Sequence, residues 1–272
     1  MLVSQPQPQD LVITLLGTYM RNGERRVWSG GLVRLLGELG FSVAASRVAL
    51  ARLVARGLLA REHHGRFVHY RVTARCAALL EEGDARIFAL GRPAHKPEPW
   101  TVLWHVIPDE RRLERGRLAR RLRFLGFGPL QDGTWIAARN REREVAALLD
   151  DLDVTAYAGV MVGKPAASLD FAGVAGRVWD IEGLDERYGG FIDAFGPYAT
   201  SHRTARLDDR AAFRLRTPLV DAFREFPLLD PELPSDVVAA PAHRTQAVSV
   251  FHRLYRSLRT PSQRHFDAVA TP

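Results

Sequence analysis

The chain has 272 residues, of which 46% are hydrophobic and 25% charged, a composition typical of a globular protein that buries a core. Its one cysteine, Cys76, excludes an internal disulfide framework, and no apolar run approaches the roughly 18 residues that a membrane span needs. No N-terminal segment resembles a signal peptide, so we expect a cytoplasmic protein with no membrane partner.

The formal net charge of +7 is concentrated at the start of the chain. Residues 1–75 hold eleven arginines and four carboxylates, whereas the remaining 27 basic and 27 acidic residues cancel. Phosphate contacts need local positive charge, so this uneven distribution favours a nucleic-acid partner. A basic surface without a ligand is the alternative.

The first part of the chain predicts three short helices. Apolar residues at helical spacing follow Asp10, a candidate N-cap, and the first helix is expected to end at Gly23. A second helix covers Ser29 to Glu38. The segment Gly40-Phe41-Ser42 forms a turn, and Ser42 is expected to cap the third helix.

The third helix has an apolar face and a face of small residues with arginines. We expect Arg52 to lie opposite the apolar face, which consists of Val43, Leu50, Leu53 and Val54. Small side chains permit close approach to the major groove, and arginine can bind guanine edges there. The alternative is an amphipathic helix whose arginines are solvated.

A β-hairpin is predicted after Gly57-Leu58-Leu59. Its turn, His63 to Arg66, contains Gly65, which can adopt positive φ, and its tip should meet the DNA backbone or minor groove. A metal site at His63, His64 and His69 is not expected, because no cysteine or carboxylate cluster accompanies them. The candidate DNA-binding residues are Ser46, Arg47, Val48, Arg52, Arg56, Arg61, His64 and Arg66. A helix with Cys76 facing inward follows the hairpin.

The middle of the chain predicts a small α/β domain after a proline-rich linker, Gly91 to Pro99. Its pattern of strand, helix, strand, helix and strand is compatible with a ferredoxin-like sandwich. These elements are predicted over Trp100–Pro108, Asp109–Leu125, Leu130–Ala138, Arg141–Leu152 and Thr155–Val162. The strand Leu130–Ala138 contains a candidate turn at Asp132-Gly133. The first helix is rich in arginine. A solvated surface, a dimer contact and the binding of DNA or phosphate all remain open for it.

The last hundred residues are expected to be mainly helical. Helices are predicted over Asp208–Arg216, Leu219–Phe226 and Ala247–Leu258, the last of which closes the domain. The many aromatic residues form either a core or an apolar pocket for an aromatic ligand. The candidate ligand-binding residues are Trp104, Trp179, Tyr188 and Arg224.

The sequence contains no convincing catalytic constellation. The run Gly159 to Lys164 is one residue too short between its glycines for a phosphate-binding loop, and Pro165 replaces the metal-binding hydroxyl. We therefore expect neither an enzyme nor a cofactor.

The three segments resemble, in order, those of the PaaX family of transcriptional repressors of phenylacetate catabolism. The first resemblance lies in Ser46 to Leu59 with the hairpin that ends at Thr73. The second lies in Trp100 to Pro108, the Arg-rich helix and Gly128 to Ile136. The third lies in Val178-Trp179-Asp180 and Phe223 to Pro234.

The resemblance implies a homodimeric repressor of an aromatic-catabolic operon that binds a palindromic operator in double-stranded DNA. It also implies release by a small effector, such as phenylacetyl-coenzyme A, another acyl-coenzyme A or an aromatic acid. Two departures stand out. His105 replaces the metal-binding aspartate of related CRISPR-associated nuclease subunits, and Pro241-Ala242-His243-Arg244 replaces a Trp-Pro-Gly segment.

The sequence thus predicts an α+β multidomain protein with three parts. These are a winged helix-turn-helix DNA-binding domain (1–90), a ferredoxin-like central domain (91–170) and a helical effector and dimerisation domain (171–272). The alternatives are a metal-dependent nuclease that uses Asp109 in the central domain, and a winged-helix module that binds protein instead of DNA.

Overall fold

The computed structural model describes residues 7–20, 26–92, 99–166, 171–199, 204 and 206–272. The predicted end of the first helix at Gly23 and most of the predicted linker lie outside these residues. Contacts divide the chain into two compact units. Unit one comprises Met1–Ala89, Arg187–Glu225 and Thr245–Pro272, and unit two comprises Leu90–Glu186 and Phe226–Arg244.

The elements follow the predicted α+β order. Residues 7–92 form α1 (Pro8–Tyr19), β1 (Arg26–Trp28), α2 (Ser29–Glu38), α3 (Val43–Ala55), β2 (Leu59–His64), β3 (Phe67–Val72) and α4 (Ala74–Ala89). Residues 99–166 form β4 (Trp100–His105), α5 (Arg112–Phe124), β5 (Gly128–Gln131), β6 (Thr134–Ala137), α6 (Glu142–Asp151) and β7 (Ala158–Gly163). The helices that follow are α7 (Phe171–Val178), α8 (Ile181–Phe195), α9 (Asp209–Phe223), α10 (Phe226–Leu229), α11 (Arg244–Ser257) and α12 (Arg259–Ala270).

The core of unit one joins residues from both ends of the chain. The apolar faces of α1, α2 and α3 meet there, and Phe213 of α9 and Phe266 of α12 are buried in the same cluster. Tyr19 is the central contact: its ring stacks on Phe266 at 4.8 Å and lies 5.5 Å from Phe213. Its hydroxyl hydrogen-bonds to that of Thr217 at 3.1 Å. The C-terminal helices therefore complete the core on which the N-terminal helices pack.

Several sequence predictions for unit one need correction. The two helices predicted on either side of Pro218 form the single helix α9, because Thr217 and Phe213 are buried on the same face and their packing outweighs the lost proline N–H. The final helix α12 was not predicted, although it supplies Phe266. Asp10 lies inside the first turn of α1, where Gln7 is the N-cap, and Asp10 pairs with Arg224 instead.

Unit two contains a four-stranded sheet with the strand order β5-β6-β4-β7, in which every pairing is antiparallel. The predicted strand Leu130–Ala138 is divided into two strands by the candidate turn at Asp132-Gly133, where Gly133 adopts a φ of 71° and the chain reverses. Helices α5 and α6 bury Leu118 and Leu149 against one face of the sheet. Around Trp100, the other face is covered by residues of α7 and by Leu233.

The segment Asp230 to Pro234 is built into unit two. Both carboxylate oxygens of Asp230 accept hydrogen bonds from the Arg244 guanidinium, at 2.6 and 2.7 Å. Glu232 accepts a hydrogen bond from the Gly91 amide at 3.0 Å and forms an ion pair with Arg139. The segment Asp230 to Pro234 therefore has a structural role, because its two carboxylates hold other parts of unit two. No helix in the described part of the chain is long and apolar enough to cross a membrane.

Candidate nucleic-acid interface

Helix α3 begins where the sequence predicts. The Ser42 hydroxyl accepts a hydrogen bond from the Ala45 amide at 3.2 Å, which satisfies a free N–H of the first turn. Leu50 and Leu53 are buried and anchor the helix to α1 and α2. Val43, predicted to face inward, is 53% exposed, because it lies at the very start of the helix beyond the packed turn.

The outward face of α3 is formed by small or apolar side chains. The direction opposite the buried residues falls among Ala44, Val48, Ala51 and Ala55, all of which are exposed. Arg47 and Arg52 are exposed on either side of this strip, each about 70° from its centre at 100° per residue. Arg52 therefore flanks the outermost strip, a shift from its predicted position that follows from the exposure of Val43.

Ser46 lies on the opposite side of α3 from this surface. Its side chain is fully buried, and its hydroxyl donates to the Ser42 carbonyl at 2.9 Å. Because this geometry commits the hydroxyl to the helix itself, Ser46 is left out of the contacts that we propose below. The position of Ser46 near the apolar face of the helix was the sequence signal that it points inward.

The hairpin of β2 and β3 follows α3 and ends in a tight turn. Gly65 adopts a φ of 58° there, a conformation that favours glycine. Arg61, His64 and Arg66 are exposed, and the Arg66 guanidinium lies 5.0 Å from the centre of the Phe67 ring. Strand β1, which was not predicted, pairs with β3 and completes a three-stranded sheet.

Within the described residues, ion pairing takes up the nearby carboxylates and leaves the arginines of this surface without an acidic partner. Each acidic residue described between 7 and 75 has a cationic partner: Asp10 pairs with Arg224, Glu38 with His265 and Arg210, and Glu62 with Arg26 and Arg71. The Arg71 hydrogen bond is the main reason that the pKa of Glu62 is lowered. No described carboxylate pairs with the exposed arginines of the surface, which are Arg47, Arg52, Arg56, Arg61 and Arg66.

Family models match the chain in three successive segments. The model described as PaaX-like protein matches residues 7–76, the PaaX protein central Cas2-like domain matches 94–173, and the PaaX-like protein C-terminal domain matches 179–268. The chain belongs to the PaaX family. The proteins of this family are transcriptional regulators, and the exposed arginines described above lie within or beside its first segment.

A solved structure supports the fold of this PaaX-family chain. An uncharacterised protein from Mycobacterium tuberculosis is 23% identical and superposes with a TM-score of 0.56. The match covers 97% of this chain and all of the other one. No curated protein matches the chain.

The structure distributes the four predicted ligand-binding residues over different surroundings. Trp179 is buried against Trp100, with ring centres 6.2 Å apart. Trp104 lies four residues further along β4, roughly 13 Å from Trp100 at the rise of a strand, and is 43% exposed over Gly159. Within unit two, Trp179 is thus part of a buried cluster and Trp104 is partly exposed, and their role in ligand binding stays a prediction.

The other two predicted residues lie in unit one. Tyr188 is fully buried. Arg224 donates to the Thr14 hydroxyl at 2.8 Å and to the Asp10 carbonyl at 3.1 Å, and Thr14 in turn donates to Asp221 at 2.6 Å. These contacts tie the end of α9 to α1, so Arg224 has a packing role that its sequence context did not reveal.

Residues considered for metal chemistry are dispersed. Among the described residues, no group of three or more His, Cys, Asp or Glu side chains is placed to hold a metal ion. Asp109, the residue required by the nuclease alternative, pairs with Arg115 at 3.0 Å. Burial and the nearby Arg115 lower the pKa of His105. Cys76 is buried as predicted, and burial raises the pKa of its thiol.

Unit one also contains two adjoining clefts that share Leu207. The first has a volume of about 490 Å³ and is lined by Tyr198, Leu207, Asp208, Arg210, Ala211, Arg214 and Leu215. The second has a volume of about 400 Å³ and is lined by Ala199, Thr204, Leu207, Arg253, Ser257, Pro261 and Arg264. Arginine and apolar side chains together suit a ligand that has both an anionic and an apolar part.

Proposed function

We propose that this protein is a DNA-binding transcriptional repressor whose DNA contacts are made by α3 and the β2–β3 hairpin. The main support is the outward strip of small side chains on α3, flanked by Arg47 and Arg52. Small residues allow a helix to approach base edges in the major groove, where an arginine can make a bidentate contact with guanine. Arg61, His64 and Arg66 would contact the phosphate backbone or the minor groove beside it.

The proposal includes the folds expected from the sequence. The order of α1, α2 and α3 with a following hairpin supports a winged helix-turn-helix in unit one. The order β4-α5-β5-β6-α6-β7 supports a ferredoxin-like domain in unit two. A homodimer that binds a palindromic operator would present two copies of α3 to successive half-sites.

We further propose that a small anionic effector, such as an aryl-acyl-coenzyme A or an aromatic acid, releases the DNA. We expect it to bind in the two clefts that share Leu207, the first of which is lined by residues of α9. Arg214 lines the first cleft and has no ion-pair partner among the described residues, so its charge is available to an acidic ligand. This location differs from the four residues predicted from sequence, whose role in ligand binding stays a prediction.

The contacts within unit one would couple this effector to α3. Helix α9 carries Phe213, which lies 5.5 Å from Tyr19 of α1, and α12 carries Phe266, which stacks on the same ring. Since α1 and α2 support α3, a displacement of α9 on ligand binding would be transmitted through packed side chains.

Fluorescence anisotropy with the DNA upstream of the protein's own gene tests the DNA contacts. We expect Arg52→Ala to weaken specific binding by about 1–3 kcal/mol, the range for a good base contact, and Arg66→Ala to reduce the salt dependence. Arg259→Ala is the matched control, because Arg259 is an exposed arginine on α12 of the same unit. Unchanged affinity in the Arg52→Ala, Arg66→Ala double variant would overturn the proposal.

Thermal unfolding with added ligand tests the effector site. Phenylacetyl-coenzyme A, another acyl-coenzyme A and free phenylacetate are the probes. We expect a stabilising ligand to raise the unfolding temperature of the protein and to raise it less in Arg214→Gln, with Arg259→Gln again as the control. Equal shifts in both variants would place the ligand elsewhere.

A further inference from the structure

Helix α5 presents a second surface that carries concentrated positive charge. Its core side is defined by Leu118 and Leu122, which are fully buried. The opposite direction falls on Arg120, with Arg117 and Arg112 about 60° and 80° to either side at 100° per residue. All three arginines are exposed. Leu113, close to the centre of this face, is 68% exposed.

Other arginines of this region already have a structural role. Arg111 pairs with Asp153 at 2.7 Å and Arg115 with Asp109 at 3.0 Å. The Arg123 guanidinium lies 5.2 Å from the Trp135 ring, and Arg121 lies in the last turn, where the helix dipole favours a cation. These four therefore need no ligand to explain them.

No comparable structural role among the described residues accounts for Arg112, Arg117 and Arg120. No described carboxylate pairs with them, and Arg112 begins the helix, at the end where the dipole disfavours a cation. Arg117 and Arg120 are also three residues apart, a spacing at which like charges destabilise a helix. Three such cations on one face indicate a polyanionic partner that compensates them.

The geometry fits a nucleic-acid backbone. From Arg112 to Arg120 the helix rises about 12 Å, which matches three to four phosphates of one DNA strand at 3.4 Å each. The planar guanidinium binds phosphate in a bidentate manner. An anionic bilayer fits less well, since a helix that lies on a membrane has a broad apolar face, whereas this face has one leucine. A second copy of α5 would repel the first.

We propose that Arg112, Arg117 and Arg120 of α5 form a second, sequence-independent binding surface for the backbone of duplex DNA. This inference rests on the proposed DNA-binding function and extends it to unit two. Such a surface would add affinity and salt dependence without adding sequence specificity.

The test compares two triple variants of the full-length chain. The first is Arg112→Gln, Arg117→Gln, Arg120→Gln. The control changes Arg143, Arg177 and Arg187 to Gln, three exposed arginines outside α5 without an ion-pair partner among the described residues. Binding to a 40-base-pair duplex of mixed sequence, roughly twice the length that one operator half-site pair spans, is measured by anisotropy over a series of KCl concentrations.

We expect the slope of log K against log salt to fall in magnitude by up to about 2.7 in the α5 variant, that is, about 0.9 for each lost phosphate contact. The control should keep the wild-type slope. Circular dichroism should show an unchanged fold, because removal of like charges on the exposed face relieves repulsion.

Three results would overturn the inference. The first is an equal loss in both triple variants, which would indicate a general charge effect. The second is a salt slope that stays unchanged in the α5 variant while the Arg52→Ala, Arg66→Ala double variant loses affinity for DNA. This result would leave the proposed function intact. The third is capture of the wild-type protein by phosphatidylserine vesicles, abolished in the α5 variant, with DNA binding unaltered. A wild-type protein that binds no duplex would overturn both proposals.

Discussion

The Phe266 side chain offers the sharpest test of how the ends of the chain are joined. It is fully buried in unit one and stacks on Tyr19 with ring centres 4.8 Å apart and an interplanar angle of 8°. Replacement of a buried phenylalanine by alanine removes its transfer free energy and leaves a cavity, at a total cost of about 3–5 kcal/mol. Because Tyr19 belongs to α1, Phe266→Ala should destabilise the N-terminal helices as well as α12.

Hydrogen exchange followed by mass spectrometry can measure this effect on α3. If exchange in α3 requires opening of the shared core, a loss of about 3–5 kcal/mol accelerates it roughly 10²- to 4 × 10³-fold, since each 1.4 kcal/mol is a factor of ten. Phe266→Leu, which keeps much of the apolar volume, should have a smaller effect. Val106→Ala in unit two is the control, because Val106 is 82% exposed.

One specific pattern of hydrogen exchange would contradict a core shared by both ends of the chain. If Phe266→Ala accelerated exchange only within α12 and left the protection of α3 unchanged, the N-terminal helices would be stable without the C-terminal helix. The shared core would then be a contact between independent folding units.

Two further predictions concern unit one. Gly31→Ala should destabilise the fold by about 1–3 kcal/mol, because its methyl group would lie 2.3 Å from the backbone oxygen of Val269. Gly37→Ala, on the same helix, meets no atom within 4 Å and should stabilise the fold by about 0.5–1 kcal/mol. Urea unfolding of both variants measures the two changes. Burial raises the pKa of Asp221, so its contribution to stability is complete below the pKa of about 3.9 in the unfolded chain and is lost as pH rises through the folded value. Asp221→Asn should flatten the dependence of the urea midpoint on pH above 4, and an unaltered slope would show that the carboxyl does not titrate in this way.

Local signals in the sequence were sufficient for most elements of the first ninety residues, with strand β1 as an exception. Ser42 caps α3 because a serine at that position satisfies a free amide whatever the rest of the chain does. Gly65 marks the hairpin turn because its φ of 58° is accessible to glycine. Apolar periodicity located α2, and the order of the three segments was sufficient to indicate the PaaX family. The uneven charge was visible from composition alone.

Only the tertiary structure decided which residues meet across long distances in the chain. Pro218 looks like a helix end in sequence, but the packing of Phe213 and Thr217 keeps α9 continuous. Arg224 is a ligand-binding candidate in the sequence, and the structure shows in addition that it contacts Thr14 and Asp10, more than 200 residues earlier. Which arginines are uncompensated also depends on where each carboxylate lies. The sequence determined the local elements, the family and the net charge, because these depend on neighbouring residues. The structure decided the shared core and which arginines of α3 and α5 lack an acidic partner among the described residues, because these depend on contacts between distant segments.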